Sequence, residues 1–413
     1  MLGCLNEDYK ECVIIGAGFS GLLAAYRLLQ RGWRIKLYDA AARAGGLIDT
    51  AQTEYGIAEA AAHSVRSSLA MDQLFAELEI ETVTARANKK YILHDGKFST
   101  FPLRLNEIIT AAARAAFIPA KPKYNNLQDW ALHHLGQAAL DRLIYPMMQG
   151  IYAAQPDELS PQLVFPGLLP ASGRSLLPHA FMQPRGKHKA RVMAPRVGMA
   201  ALTEKLFNFI QSSSNGQIWL SEKISDLPDS PNMIIATPAG ATGSLLQNDF
   251  KTSSAALHGI RYAPMISVTV FLDRQSHRPP KGMGILCVAN EPRRMMGILF
   301  NSSSFAHRVR DESRVASYTV MLGGTRDPEI LNLTDQELRQ LITAEFAAVF
   351  NLSEPPLEIV THRWPQAIPV YSPELAIAHE KISQDFCAQP GRILFGNYTG
   401  QISLRGITDT FMV

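Results

Sequence analysis

Residues 12–21 read Cys12-Val-Ile-Ile-Gly16-Ala-Gly18-Phe-Ser-Gly21, a short apolar run that leads into three glycines spaced as GxGxxG. An apolar pattern at helical spacing follows, and a second apolar run ends at Asp39. This order predicts a strand, a glycine turn, a helix and a second strand that ends in an acid, which is the βαβ unit that binds dinucleotides. An accidental glycine turn would need none of the other three parts, so we favour the nucleotide-binding fold.

Each of these positions has a physical reason for its residue type. Gly16 permits a tight turn, and Gly18 lets the backbone approach a pyrophosphate. Gly21 lets the helix pack closely on the strand, and the first N–H groups of the helix attract phosphate. The Asp39 carboxylate can accept a hydrogen bond from a ribose hydroxyl.

A second glycine-rich loop follows, with Arg43, Gly45 and Gly46 just after Asp39. This combination suits a cofactor whose pyrophosphate is covered by a second loop. Flavoproteins of the amine-oxidase type carry such a loop, whereas NAD dehydrogenases do not need one. An ordinary Gly-Gly turn is the alternative, and the short distance from the fingerprint favours the cofactor loop.

Composition bounds the remaining possibilities. A chain of 413 residues can form two or three domains, and its net charge of +3 is too small to argue for nucleic acid. The four cysteines lie far apart without a CxxC pair, which favours reduced thiols and a cytoplasmic protein, and no metal site is expected. No uncharged apolar run is long enough to predict a membrane-spanning helix.

The rest of the chain reads as further elements around this unit. Asp95-Gly96 between two alternating runs predicts a hairpin. Residues 102–195 look helical, and residues 173–196 are basic, with Arg174, Arg185, Lys187, Lys189, Arg191 and Arg196. A solvated surface is the ordinary interpretation of that stretch, and contact with an anionic membrane is the alternative. Short strands from about residue 260 predict a second sheet, and an apolar run at residues 393–397 predicts a strand that returns to the first.

Several of these stretches together resemble the oxygen-dependent protoporphyrinogen oxidases, FAD enzymes of haem biosynthesis in the amine-oxidase superfamily. The resemblance runs from about residue 11 to residue 410. The stretches that carry it begin at Gly150, Arg261, Gly282, Met321, Arg363 and Gly396.

The resemblance implies an α/β architecture like that of the amine oxidases and of p-hydroxybenzoate hydroxylase (PHBH). It consists of a Rossmann-type FAD-binding domain, an inserted helical domain and a mixed-sheet substrate domain. The FAD-binding domain would comprise residues 1–95, 196–260 and a shortened 381–413. The helical domain would comprise residues 96–195, facing the entrance and the membrane, and the substrate sheet residues 261–380.

The resemblance also implies positions for FAD and for a tetrapyrrole. The expected FAD contacts are Gly16, Gly18, Phe19, Ser20, Gly21, Asp39, Ala40, Arg43, Gly45, Gly46, Ala61, His63, Ile224, Thr237, Trp364, Asn397 and Ile402. The expected substrate contacts are Leu286, Leu299 and Met321, with Lys90 in place of the family's propionate-binding arginine. Without the resemblance, core packing would explain the two leucines. Since the flavin performs the redox step, no catalytic side chain is expected, and His63 is interpreted as a packing or hydrogen-bonding residue.

Positions near the flavin depart from the family's pattern. Ala61 and Ala62 replace glycine and proline, and Gln401 and Arg405 stand in an altered segment before a shortened C-terminal helix. Three interpretations follow: a protoporphyrinogen oxidase, another flavin oxidoreductase acting on coproporphyrinogen or a polyene, or a non-catalytic tetrapyrrole- or partner-binding protein. The retained fingerprint and slot positions favour the first. A homodimer and a peripheral location on the inner face of the cell membrane are further options that the sequence leaves open.

Overall fold

The computed structural model describes residues 3–87, 89–182, 188–277, 279–352 and 354–411. Its strands, in chain order, are β1 Glu11–Ile15, β2 Arg34–Tyr38, β3 Thr50–Gln52, β4 Ile57–Glu59, β5 Val65–Arg66, β6 Thr82–Thr84, β7 Lys90–His94, β8 Lys97–Ser99, β9 Val192–Pro195, β10 Gly216–Trp219, β11 Met233–Ile235, β12 Tyr262–Asp273, β13 Gly284–Cys287, β14 Met295–Leu299, β15 Val315–Gly323, β16 Glu358–Pro369 and β17 Arg392–Leu394.

The α-helices are α1 Phe19–Gln30, α2 Leu69–Glu77, α3 Leu105–Phe117, α4 Leu127–His134, α5 Gln137–Ala139, α6 Tyr145–Tyr152, α7 Pro161–Val164, α8 Leu176–Met182, α9 Ala200–Ser212, α10 Ala239–Leu246, α11 Lys251–His258, α12 Asn301–Ser304, α13 Asp335–Phe350, α14 Pro373–Gln384 and α15 Leu404–Thr410. Within the described residues, no helix combines the length and the apolar character needed to cross a membrane.

The first sheet is parallel and has the order β10-β2-β1-β11-β17. Its central strands are buried on both faces, which explains why β1 and β11 read as continuous apolar runs instead of alternating. Helix α1 crosses from β1 to β2 and packs on α9. The α/β fold and its Rossmann-type first unit are therefore confirmed.

The second sheet is mixed and has the order β16-β12-β15-β14-β13-β7-β8. One face is apolar and packs on α13, burying alternate residues such as Val268, Tyr318 and Val320 against Leu338 and Phe346. Because side chains alternate along each strand, the opposite face carries a different set, which is the face that matters for function.

Three features of the fold differ from the sequence expectation. The predicted hairpin is present as β7 and β8, with Asp95 and Gly96 at positive φ, but it pairs with β13 and so belongs to the second sheet, whereas the sequence assigned residues up to 95 to the first unit. Strand β16 was not predicted, because Pro365 and Pro369 interrupt its pattern. It is an edge strand, where proline is tolerated. Helix α14 was also missed.

Candidate active site

The glycine turn between β1 and α1 is built as the sequence predicts. Gly16 has φ +105°, and a Cβ there would lie 2.8 Å from the Ala236 carbonyl carbon at the end of β11. A Cβ on Gly21 would lie 1.8 Å from the Gly16 oxygen. Both positions therefore require glycine for close packing. Phe19 and Ser20 are buried in the first turn of α1.

The second glycine loop lies directly against the first. Gly18 bridges Gly45, and the Gly45 N–H donates to the Ala17 oxygen at 2.8 Å. A Cβ on Gly46 would come 3.2 Å from the Gly18 Cα. The Arg43 guanidinium donates to backbone oxygens of this same loop, including that of Gly46 at 2.9 Å. Arg43 thus braces the loop from within.

These two loops fit the pyrophosphate of a dinucleotide cofactor. Helix α1 begins at Phe19, directly after Gly18, and no side chain of the described residues caps its first N–H groups. An uncapped helix start offers N–H donors, and the glycines of the two loops beside it leave room for phosphate oxygens. Gly18, Gly45 and Gly46 would lose that room if any of them carried a side chain.

The acid at the end of β2 is held at the edge of this turn. Asp39 Oδ2 accepts from the Ala17 N–H at 2.5 Å, and Oδ1 accepts from the Ala41 N–H at 2.7 Å. Each carboxylate oxygen keeps a lone pair for a further donor. Ala40 between them is exposed. This geometry is suited to a ribose hydroxyl.

Further predicted positions lie along the same edge of the sheet. Thr237 follows β11, and its hydroxyl contacts that of Thr242 at 2.9 Å. Asn397 follows β17, and its carbonyl accepts from the Tyr371 hydroxyl at 2.6 Å. Since the carboxyl ends of parallel strands meet at one edge, the predicted residues after β1, β2, β11 and β17 are brought together there. Ile224 packs near this sheet, whereas Ile402, like Trp364 and Met321, packs against a cluster formed by helices and by residues of β12 and β14.

The two sheets meet where the loop after β4 crosses β16. Trp364 donates its indole N–H to the Ala60 oxygen at 2.9 Å. The loop continues through Ala61 to His63, whose Nε2 lies 3.5 Å from the Ser267 hydroxyl on β12. Predicted residues from both sheets, Ala61, His63 and Trp364, therefore lie at one junction.

A buried ion pair supports this junction. Glu59 and Arg308 are both almost fully buried and form a salt bridge. Arg308 also donates to the His63 oxygen at 2.8 Å, while Glu59 accepts from the Thr50 hydroxyl at 2.6 Å. Sequence reasoning missed both residues, because a lone glutamate and a lone arginine so far apart carry no spacing signal.

The open face of the second sheet carries the predicted substrate positions. Leu286 on β13, Gly297 on β14 and Met321 on β15 are register partners, so they form one row across three strands. Leu299 lies on the same face in the next row. All three large side chains are partly exposed, which distinguishes them from the core residues that alternate with them. They form a continuous apolar surface.

The borders of this surface are set by Lys90 and by helix α6. Lys90 pairs across to Gly284, which pairs to Leu299, so Lys90 stands at the outer end of that row. Leu286 lies on the adjacent strand β13, and a Cβ on Gly150 of α6 would lie 2.7 Å from its side chain. Helix α6 therefore closes the apolar surface at Leu286, and an exposed lysine lies at its rim.

The same face becomes polar toward β16, which the sequence did not predict. Continuing the row, Met321 pairs with Ser267, and Ser267 pairs with His362. In the next row Thr319 pairs with Thr269, and Asn301 donates to the Thr319 hydroxyl at 2.9 Å. Alternating hydroxyls within apolar strands were the available signal, but only strand register shows that they share one face with the leucines.

The two histidines at the junction are held neutral. Burial, with the Arg308 guanidinium acting in the same direction, lowers the pKa of His63 to about 3. Burial also lowers the pKa of His362, although the carboxylates of Asp49 and Glu59 oppose that shift. Both imidazoles are therefore acceptors as well as donors at neutral pH.

The C-terminal segment ends in a short helix, as expected. Helix α15 begins after Ser403, whose hydroxyl accepts from the Gly406 N–H at 3.1 Å. The Gln401 side chain folds back beside Gly406, and Arg405 interacts with Asp409 at 3.3 Å. Arg405 thus has its partner within the segment itself.

A glycine-lined edge of a parallel sheet next to an apolar face of a second sheet suits a flavoenzyme, and comparison with known proteins agrees. The chain belongs to the flavin containing amine oxidoreductase family, whose profile matches residues 19–232 and 232–402. It is therefore a flavin-dependent oxidoreductase.

Similar proteins within this group act on tetrapyrroles by name. The chain is 23% identical to protoporphyrinogen oxidase 2 of Arabidopsis thaliana, over 96% of this chain and 91% of that protein. It is 21% identical to the coproporphyrinogen III oxidase of Bacillus subtilis, over 89% of this chain and 88% of that one. A crystal structure from Exiguobacterium sp. 255-15, provisionally assigned as a protoporphyrinogen oxidase, shares the fold with a TM-score of 0.77 at 18% identity, covering 98% of this chain and 99% of that one.

Proposed function

We propose that the protein uses FAD to oxidise protoporphyrinogen IX to protoporphyrin IX, with dioxygen as electron acceptor. The observation that carries this proposal is the row formed by Leu286, Gly297 and Met321, which ends at the junction with the dinucleotide edge. A flat apolar macrocycle suits a surface of this kind, since aliphatic side chains and methionine pack against large rings without directional demands. The full-length similarity to porphyrinogen oxidases supports the same substrate class.

The cofactor would lie along the edge described above. Gly16, Gly18 and the loop around Gly45 would hold the pyrophosphate, and Asp39 would bind the ribose. The remaining predicted contacts would follow the edge toward Trp364, where the flavin ring would meet the substrate. FAD is favoured over FMN because this edge offers both an acidic residue for a ribose hydroxyl and two glycine loops for a pyrophosphate.

When bound, the flavin would accept a hydride from a carbon that bridges two pyrrole rings, and dioxygen would reoxidise it. The chain would contribute orientation and dryness. Leu286, Leu299 and Met321 would hold the macrocycle flat against the junction and keep water out. Lys90 would pair with a substrate carboxylate at the rim as a point charge.

Coproporphyrinogen is a second candidate substrate, and the similarity to the Bacillus subtilis enzyme favours considering it. It carries more carboxylates than protoporphyrinogen, so it would need more cations at the rim. Lys89 is a second cation next to Lys90 and could serve either substrate.

A visible spectrum of the purified protein, followed by aerobic turnover, tests both candidates. A stoichiometric flavin spectrum and porphyrin fluorescence from protoporphyrinogen support the proposal. Faster turnover of coproporphyrinogen would identify coproporphyrinogen as the substrate instead. Loss of turnover when dioxygen is removed supports dioxygen as the electron acceptor. Flavin without either porphyrin product would indicate another substrate, such as a polyene. Absence of flavin after FAD addition would indicate a non-catalytic binding protein.

We also propose peripheral association with an anionic membrane through helices α3 and α8, which contact each other. They expose large apolar side chains, including Leu105 at 73%, Phe117 at 81% and Phe181 at 67%. Arg174 is exposed nearby in sequence, whereas Arg191 and Arg196 pair with acids and Arg114 donates inward to the Leu132 oxygen. The apolar residues, more than the basic stretch, therefore support membrane contact. Arg185 and Lys187 lie outside the described residues.

Flotation with vesicles that contain anionic lipid at low salt tests this location. We expect the wild-type protein to float and the double variant Phe117→Ser/Phe181→Ser to stay at the bottom. Leu69→Ser is the control, because Leu69 is 72% exposed on α2, a different helix. Failure of the wild-type protein to float, or equal loss in the control, would remove this proposal.

A further inference from the structure

Two imidazoles lie near each other at the end of the apolar row, where His362 acts electrostatically on His63. His362 on β16 is the register partner of Ser267 on β12, so both side chains lie on the open face. His63 approaches the Ser267 hydroxyl from the loop above, with its Nε2 at 3.5 Å from Ser267 Oγ. One strand further along the row stands Met321.

One nitrogen of this cluster is unusual. Among the described residues, Nε2 of His362 is buried and has no hydrogen-bond partner. Leaving a buried polar atom without a partner is unfavourable, so each such atom calls for an explanation, and a bound ligand is one. The contact from His63 Nε2 to Ser267 is also long for a hydrogen bond. Both rings therefore have acceptor capacity left for a molecule on the apolar row.

The charged groups that face the two rings determine which ring holds an added proton. Arg308 lies beside His63 and disfavours a positive imidazolium there. Asp49 and Glu59 lie on the side of His362 and favour one. A proton taken up at this site is thus drawn toward His362 and away from Arg308.

We propose that His63 and His362 form the site that accepts the pyrrole N–H proton of a bound porphyrinogen, an inference that rests on the proposed function. In each oxidation the bridging carbon loses hydrogen with its two electrons to the flavin. The N–H bond of the adjoining pyrrole breaks, its electrons stay in the ring to form the new double bond, and its proton binds an imidazole nitrogen of the pair. Three such oxidations would release three N–H protons at this site, and transfer of one proton from the last methylene bridge to a ring nitrogen would leave the porphyrin with its two N–H groups.

Single and double substitutions test the assignment in the flavin-loaded protein. We expect His63→Asn and His362→Asn each to lower kcat for porphyrin formation by about 100-fold, the usual worth of a positioned base. The double variant is expected to have a kcat only slightly below that of the less active single variant, because the two rings act as one unit. Added imidazole should restore part of the activity of His63→Gly. His258→Asn, an exposed histidine on α11, is the control.

Two further readouts separate this role from a structural one. Flavin absorbance should change less than twofold in His362→Asn, and the affinity of both single variants for protoporphyrin IX, measured by quenching of its fluorescence, should likewise change less than twofold. Single variants with wild-type kcat, or losses that multiply in the double variant without imidazole rescue, would overturn the inference while leaving the proposed function intact. A wild-type protein that oxidises neither porphyrinogen would remove both.

Discussion

At the scale of single residues, the structure separates positions that are required by shape from those required by charge. Gly16 and Gly21 admit no side chain because backbone atoms occupy the space. Glu59 and Arg308 are required as a pair, since each is buried almost completely and would leave the other unpaired. Met321 is required by its place on the open face, where an apolar ring would lie.

Replacing Met321 with arginine is expected to abolish porphyrinogen turnover. The guanidinium would place a charge in the middle of the apolar row and occupy the volume of the substrate. Flavin content, measured from the visible spectrum, should stay at the wild-type level because Met321 lies on the second sheet. Met321→Leu is the control and should keep most of the activity. Unchanged turnover in Met321→Arg would mean that the substrate lies elsewhere.

Breaking the buried ion pair is expected to destabilise the protein strongly. Arg308→Met should lower the free energy of unfolding by about 3–5 kcal/mol, because it leaves the Glu59 carboxylate buried without its partner. Glu59→Gln in the Arg308→Met background should recover a large part of that loss, since neither charge is then left alone. Urea unfolding monitored by circular dichroism measures both. A double variant as unstable as the sum of the single ones would contradict this account.

At the scale of elements, function depends on how closely α1 approaches the turn before it. The helix can start at the turn only because Gly21 faces the Gly16 oxygen. Strand β16 is equally decisive, because it brings Trp364 and His362 to the loop that follows β4. Neither helix nor strand would position the site without its neighbour.

Gly21→Ala is therefore expected to prevent flavin binding. The new methyl group would lie 1.8 Å from the Gly16 oxygen, so α1 must shift and its N–H groups leave the phosphate position. The purified variant should carry less than a tenth of the wild-type flavin, measured by absorbance. Gly240→Ala is the matched control on helix α10, where the added carbon meets no described atom within 4 Å. Normal flavin content in Gly21→Ala would refute the assignment of this turn.

At the scale of the whole molecule, buried neutral histidines make stability depend on pH. Burial lowers the pKa of His134 to about 4, and burial with the neighbouring Arg308 charge lowers that of His307 to about 4 as well. His63, with a pKa of about 3, acts in the same direction. In the unfolded chain these histidines bind protons below pH 6.5, whereas in the folded chain they do not until the pH is far lower.

The free energy of unfolding should therefore fall as the pH decreases from 6.5 toward 4. For the fully buried His134 the slope is about 1.4 kcal/mol per pH unit, and it is smaller for the two partly exposed histidines. Urea unfolding at pH 7.5 and pH 5.5 measures the difference. His134→Gln should reduce it, because glutamine does not titrate. Equal stability at both pH values would contradict the neutral state of these residues.

The dinucleotide unit could be predicted from the sequence because its signals are local: three glycines, a helix pattern and Asp39 follow one another within one βαβ unit. The hairpin at Asp95-Gly96 could be located in the same way, since turn chemistry is local too. Which sheet that hairpin joins, and the edge position of β16 despite its prolines, became visible only in the fold. The row from Leu286 to His362 likewise depends on strand register across five strands, and the Glu59–Arg308 pair on a contact between distant segments. Contacts between distant segments produce no periodic pattern in the sequence. The polar residues of the site are therefore brought together only when the chain packs.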